Sequence, residues 1–121
     1  MDMPTLQHDF DPVALVVDWL DACRGRDIDA LLDLYAPQAT LECGCGEGKT
    51  CESRADIAAY WRPRLVAFSP DAFGLEEIAP SADGVVLDYL SFDGKPVRVS
   101  FTFDDAGKIR QSRCVPVAQP A

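Results

Sequence analysis

Four apolar segments in the second half of the chain, Phe73–Ile78, Val85–Phe92, Val97–Phe103 and Ile109–Val115, are separated by Asp83-Gly84, Asp93-Gly94 and Asp105-Ala106-Gly107. Asp-Gly pairs supply the positive backbone angles that tight hairpin turns require, so this half reads as an antiparallel meander. In the third segment Val97, Val99, Phe101 and Phe103 alternate with Arg98, Ser100 and Thr102, which gives one dry face and one wetter face. A sheet with a dry face must bury it against another layer. The first half of the chain offers that layer.

Asp11-Pro12 opens a first helix with a capping carboxylate and a proline at the first helical position. Asp18, Asp21 and Arg24 recur at every third position and form a narrow wet stripe. The remainder of this helix (Val13, Leu15, Val16, Val17, Trp19, Leu20, Cys23) is apolar, so burial over most of its circumference is expected. Arg24-Gly25-Arg26 ends it. Asp27 caps a short second helix through Leu31, Leu32, Leu34 and Tyr35, which Ala36-Pro37 stops. Ala39–Cys45 reads as a strand that turns through Gly46-Glu47-Gly48 toward Thr50 and Cys51. Ser53-Arg54-Ala55-Asp56 caps a third helix through Ile57, Tyr60 and Trp61, which Pro63 is expected to kink or finish. Ser69-Pro70 marks a loop, and fraying is expected from Pro116 onward. Helices first and a curved sheet afterwards predict an α+β fold. A single domain over residues 11–116 is expected between flexible tails at 1–10 and 117–121.

With 121 residues, 48% of them hydrophobic, the chain suffices for one ordinary core and is short for two. A net charge of −9 argues against nucleic acid or an anionic membrane surface as partners, since both select basic patches. No apolar run has the length of a membrane span. Residues 1–10 carry Asp2 and Asp9 and lack a basic start followed by an apolar segment, so no secretory leader and a cytoplasmic location are expected. The five cysteines then read as reduced thiols, and an odd number cannot all pair within one chain.

Several runs, in this order and spacing, carry a family resemblance over residues 11 to 115. They are Val17-Asp18-Trp19-Leu20, Arg26-Asp27-Ile28-Asp29-Ala30-Leu31-Leu32-Asp33-Leu34-Tyr35-Ala36, Ala39-Thr40-Leu41-Glu42, Ser53-Arg54-Ala55-Asp56-Ile57-Ala58-Ala59-Tyr60-Trp61, and Phe101-Thr102-Phe103 before Asp105-Ala106-Gly107-Lys108-Ile109. The pattern resembles the nuclear transport factor 2-like superfamily, in particular its SnoaL-like and ketosteroid isomerase-like branches. The resemblance implies a cone-shaped cystatin-like roll, in which a strongly bent antiparallel or mixed sheet wraps three helices from the N-terminal half. It also implies a pocket for a small apolar molecule and a homodimer, many members of the superfamily pairing through the outer sheet face. It does not imply a reaction, because such a fold hosts enzymes and non-enzymes alike.

Where the isomerase branch has its carboxylate base, this chain has Cys43; where it has a tyrosine donor, Trp19; where it has a protonated acid, Val99. A neutral indole cannot polarise a carbonyl as a buried phenol and acid do together. The His and Asp pair of the cyclases is also missing, since the one histidine, His8, precedes the domain. An Asp-Arg-Asp arrangement like that of the epoxide hydrolases is not found in register. In the matched register Cys43 and Cys45 point to the same side, and Cys114 matches a pocket-lining position. The expected lining is thus Trp19, Tyr35, Cys43, Cys45, Trp61, Val99 and Cys114, which favours a flat or greasy ligand.

The cysteines read first as small core residues. Three alternatives stay open. Cys43, Cys45 and Cys51 could form a soft-metal site, although single-residue spacing and no nearby histidine fit the usual zinc pattern poorly. Cys45 and Cys51 could form a redox pair across the turn. Cys43 could act as a catalytic thiolate. Asp88 is the best acid within a strand and a second catalytic candidate, although an outward surface position suits it better. Arg62 and Arg64 could guide an anion at a pocket rim, against the plainer reading of a solvated helix end. No cofactor is expected.

Overall fold

The computed structural model describes residues 11–44 and 48–117. Three helices, α1 (Pro12–Arg24), α2 (Ile28–Asp33) and α3 (Arg54–Val66), cover one face of a six-stranded sheet. The strands are β1 (Tyr35–Cys43), β2 (Lys49–Cys51), β3 (Leu75–Pro80), β4 (Gly84–Leu90), β5 (Pro96–Phe103) and β6 (Ile109–Pro116), in the spatial order β2-β1-β6-β5-β4-β3. All neighbours are antiparallel except β1 and β6, which run parallel. The result is an α+β cone in which the bent sheet wraps the helices.

The helix starts follow their caps. The Asp11 carboxylate accepts from the amides of Val13 and Ala14, Asp27 accepts from Ala30, and the Ser53 hydroxyl accepts from Asp56. The Asp18, Asp21 and Arg24 stripe of α1 is exposed, whereas Val16, Trp19, Leu20 and Cys23 are buried. Val17 is exposed too, so α1 has a wider wet face than its composition suggests. Alternation holds in β4 and β5, where Val85, Leu87, Tyr89, Val97, Val99 and Phe101 face the core. Trp19 sits at its centre, edge-on to Trp61, Tyr89 and Phe101 at centroid distances of 5.2–5.4 Å.

Several elements depart from expectation. Tyr35 opens β1 rather than closing α2, because the carbonyl of Leu34 accepts the amide of Ile109 at 2.8 Å and draws the chain straight into the sheet. The register shift between Tyr35 and Thr40 absorbs Pro37, which cannot donate to a ladder. Pro63 does not end α3; the helix continues to Val66. Phe73 is not a strand residue. It lies in a turn at φ 62°, fully buried, with its ring against Phe68 and Tyr89, and β3 starts at Leu75. Pro116 does not fray: it pairs with Val97 as the last residue of β6. Gly94 has the positive φ (80°) its hairpin requires. Gly84 is needed for a different reason, since a Cβ there would lie 1.9 Å from the Phe101 carbonyl oxygen.

Candidate functional site

On one face of α3, Ile57, Tyr60, Trp61 and Arg64 follow at the spacing that stacks side chains along a helix. This face looks onto the concave side of β1, β5 and β6, where Leu41, Cys43, Ser112 and Cys114 point inward. Between them lies a cleft of about 420 Å³. Its walls include Cys43, Tyr60, Trp61, Tyr89, Val97 and Cys114. Arg64, Ser91, Phe92, Asp93 and Lys95 surround the same space from α3 and the β4–β5 hairpin.

Cys43 and Cys114 are partners in the parallel register, side by side on the cleft floor. Tyr60 and Cys43 border the same space, and burial pushes the Tyr60 phenol far above its ordinary range. The neighbouring Cys43 adds to that rise, whereas the nearby Arg64 charge opposes it. Burial likewise raises the Tyr89 phenol. Both tyrosines are therefore neutral near pH 7 and offer hydroxyl hydrogens rather than a base.

The expected lining is divided among three places. Cys43, Trp61 and Cys114 border the cleft. Trp19 and Val99 lie deeper, around a void of about 20 Å³ that also touches Ser112. Tyr35 borders neither space. Its hydroxyl is buried, accepts from Trp19 Nε1 at 3.2 Å and hydrogen-bonds with Ser112 Oγ at 3.3 Å, and burial pushes its pKa up to about 12. Tyr35 is a core residue, buried between Trp19 and Ser112. Cys45 and His8 lie outside the described residues.

Asp88 is corrected as a catalytic candidate. It is on the outer face of β4 and takes two hydrogen bonds from Arg98, to Nε at 2.7 Å and Nη2 at 2.9 Å, which hold its carboxyl below the usual range. Cys51 is fully buried opposite Leu41 in the β1–β2 ladder, and desolvation raises its thiol. Among the described residues no three His, Cys, Asp or Glu side chains converge to hold a metal ion, and the third thiol of the suggested set, Cys45, is not among them. Cys23, Cys43 and Cys51 carry free thiols.

Sequence reading missed Tyr60, Tyr89, Phe92 and the hairpin residues around the cleft. The spacing from Ile57 to Arg64 would have found Tyr60, because it shares a face with Trp61. The hairpin carries no comparable signal.

The SnoaL-like domain family model matches residues 16–112. The chain belongs to the SnoaL-like domain family. Solved structures share the fold of this SnoaL-like domain. A SnoaL-like protein of unknown function from Burkholderia thailandensis superposes with a TM-score of 0.75 at 20% identity, covering 95% of this chain and 100% of that one. A candidate polyketide cyclase from Sinorhizobium meliloti gives 0.69 at 27% identity, covering 84% and 94%. A steroid delta-isomerase from Pseudomonas aeruginosa gives 0.66 at 23% identity, covering 86% and 77%. Comparison with curated proteins finds no significant sequence match. Among the described residues no helix is long and apolar enough to cross a membrane.

Proposed function

We propose that this SnoaL-like domain binds a small, flat, mostly apolar molecule in the cleft between α3 and the sheet. The observation that carries this reading is the character of the floor, where Cys43, Trp61, Val97 and Cys114 meet beneath the neutral hydroxyl of Tyr60. Such a lining favours burial of apolar surface, at about 25 cal/mol per Å² removed from water. It also places one hydroxyl where a ligand oxygen could accept from it. The polyketide cyclase and steroid isomerase names of two structural neighbours are compatible with ligands of this shape.

In this reading Cys43 replaces the carboxylate base of the isomerases, Trp19 their tyrosine donor and Val99 their acid, so isomerisation of a ketosteroid is not the reaction. Purified protein is expected to leave a β,γ-unsaturated ketosteroid unchanged above the buffer rate; conversion that saturates with substrate would refute this assignment. Binding itself is tested by titrating the methyl ester of naphthoic acid and following the fluorescence of Trp61 and Trp19. Saturable quenching that Val97→Trp abolishes by filling the cleft is expected. A linear response without saturation would overturn the reading.

We propose in addition that the domain forms a homodimer through the outer sheet face, where Val86, Ser100 and Val115 present short side chains. Sedimentation velocity is expected to give twice the chain mass, and a monomer at all concentrations would exclude pairing. The free thiols of Cys23, Cys43 and Cys51 fit a reducing, cytoplasmic setting.

A further inference from the structure

Arg64 borders the cleft and is held against aromatic rings, as Arg26 is against Phe68 elsewhere. Its Nη1 donates to the Tyr60 carbonyl one turn earlier, at 2.6 Å. The guanidinium carbon lies 3.7 Å from the centre of the Tyr60 ring and 5.1 Å from that of Phe92. These contacts seat the group against aromatic faces. Yet Arg64 Nε is buried without a hydrogen-bond acceptor, and no carboxylate among the described residues forms an ion pair with this side chain. Arg24 and Arg54 each meet both a backbone carbonyl and an aspartate, and Arg98 and Arg113 each meet a carboxylate.

A buried donor without an acceptor is costly, and one in a folded protein calls for an explanation. With Nη1 occupied by Tyr60, the edge left over is the one formed by Nε and Nη2. That edge matches the two oxygens of a carboxylate. The same protein uses it this way elsewhere, where Arg98 Nε and Nη2 grip the two oxygens of Asp88. The Arg64 charge also reaches the interior, where it opposes the upward displacement of both the Tyr60 phenol and the Cys51 thiol.

We propose that Arg64 is the anion anchor of the cleft and that its ligand is a monocarboxylate carried on a flat apolar body. This inference rests on the cleft being a small-molecule site. The carboxylate takes the Nε and Nη2 edge, and the apolar body lies along Trp61, Val97 and the two thiols. Nε is covered by its neighbours, so uptake of the anion involves a turn of the guanidinium about its side-chain bonds. A dianion such as a phosphate monoester suits the site less well. The other cation bordering the space, Lys95, is shared with Asp93 at 4.0 Å, and the Asp93 carboxylate is already served by Ser91 and the Lys95 amide. With Lys95 and Asp93 offsetting each other, the one charge of Arg64 balances a single negative charge on the ligand.

The test compares naphthoate with its uncharged methyl ester by tryptophan fluorescence titration. Naphthoate is expected to bind at least about tenfold more tightly, as a gain of one charge-assisted, two-pronged contact implies. The preference is expected to shrink as salt is raised. Arg64→Met removes the charge and the planar edge while keeping an unbranched apolar stem; it should bring the two ligands to equal affinity. Arg64→Lys keeps the charge without the planar edge and should retain only part of the preference. Equal affinity of acid and ester for the wild-type protein overturns the anchor and leaves the small-molecule reading intact. Failure of both ligands to bind overturns both. Should Arg64→Met not fold, the acid-to-ester ratio of the wild type and its salt dependence still decide.

Discussion

Around Tyr35, three polar side-chain atoms are drawn into the core and satisfy one another: Trp19 Nε1 donates to the phenol oxygen, which also meets Ser112 Oγ. Tyr35→Phe keeps the ring and strands the other two groups, so a loss of about 1–3 kcal/mol is expected. Urea denaturation measures it, and an unchanged midpoint would show that water replaces the hydroxyl. Asp88 and Arg98 give the opposite case, a pair on the outer face. The arginine holds the carboxyl below its usual value, so the folded pKa lies beneath the unfolded one. Its contribution is therefore complete above about pH 4 and fades as pH falls through the depressed value. The melting-temperature gap between wild type and Asp88→Asn should narrow accordingly at acid pH; a constant gap would contradict the linkage. Gly84→Ala forces a methyl onto the Phe101 carbonyl and should destabilise by about 3 kcal/mol or prevent folding, seen as loss of the cooperative melt.

Among the elements, those whose signals are local were legible in the sequence, and those fixed by distant contacts were not. Asp11, Asp27 and Ser53 mark their helices because a cap acts over three residues. The alternation from Val97 to Phe103 marks β5 because the pleat has a period of two. Tyr35, by contrast, changes element through a hydrogen bond to Ile109, which lies far along the chain. Phe73 takes a strained φ because its ring is enclosed by residues of α3 and β4. The cleft divides in the same way. Cys43 and Cys114 follow from strand alternation, whereas the hairpin residues beside it depend on how far the sheet bends. Pro63 shows a local rule outweighed: α3 continues past it although the proline lacks an amide. Pro63→Ala restores that donor near the helix end, against a gain in unfolded-chain freedom. A net stabilisation of about 1 kcal/mol is expected by urea denaturation.

For the molecule as a whole, the decisive feature is the parallel pairing of β1 with β6, flanked on the other side by β5. The final strand thus lies inside the sheet, not at an edge. It supplies Ser112 to the core and Cys114 to the cleft floor. Removing residues 109–121 should leave β1 and β5 each unpaired along one edge and split the sheet in two, and the shortened chain should lose its cooperative transition by circular dichroism. A folded truncated protein would mean that the helices alone can hold the remaining strands.

That arrangement also governs birth at the ribosome. While the C-terminal segment is still inside the exit tunnel, a slot stays vacant in the middle of the emerging sheet, with unsatisfied backbone on either side. Completion of the fold therefore waits for β6 to leave the tunnel, and until then the open slot is a place for a chaperone to shield.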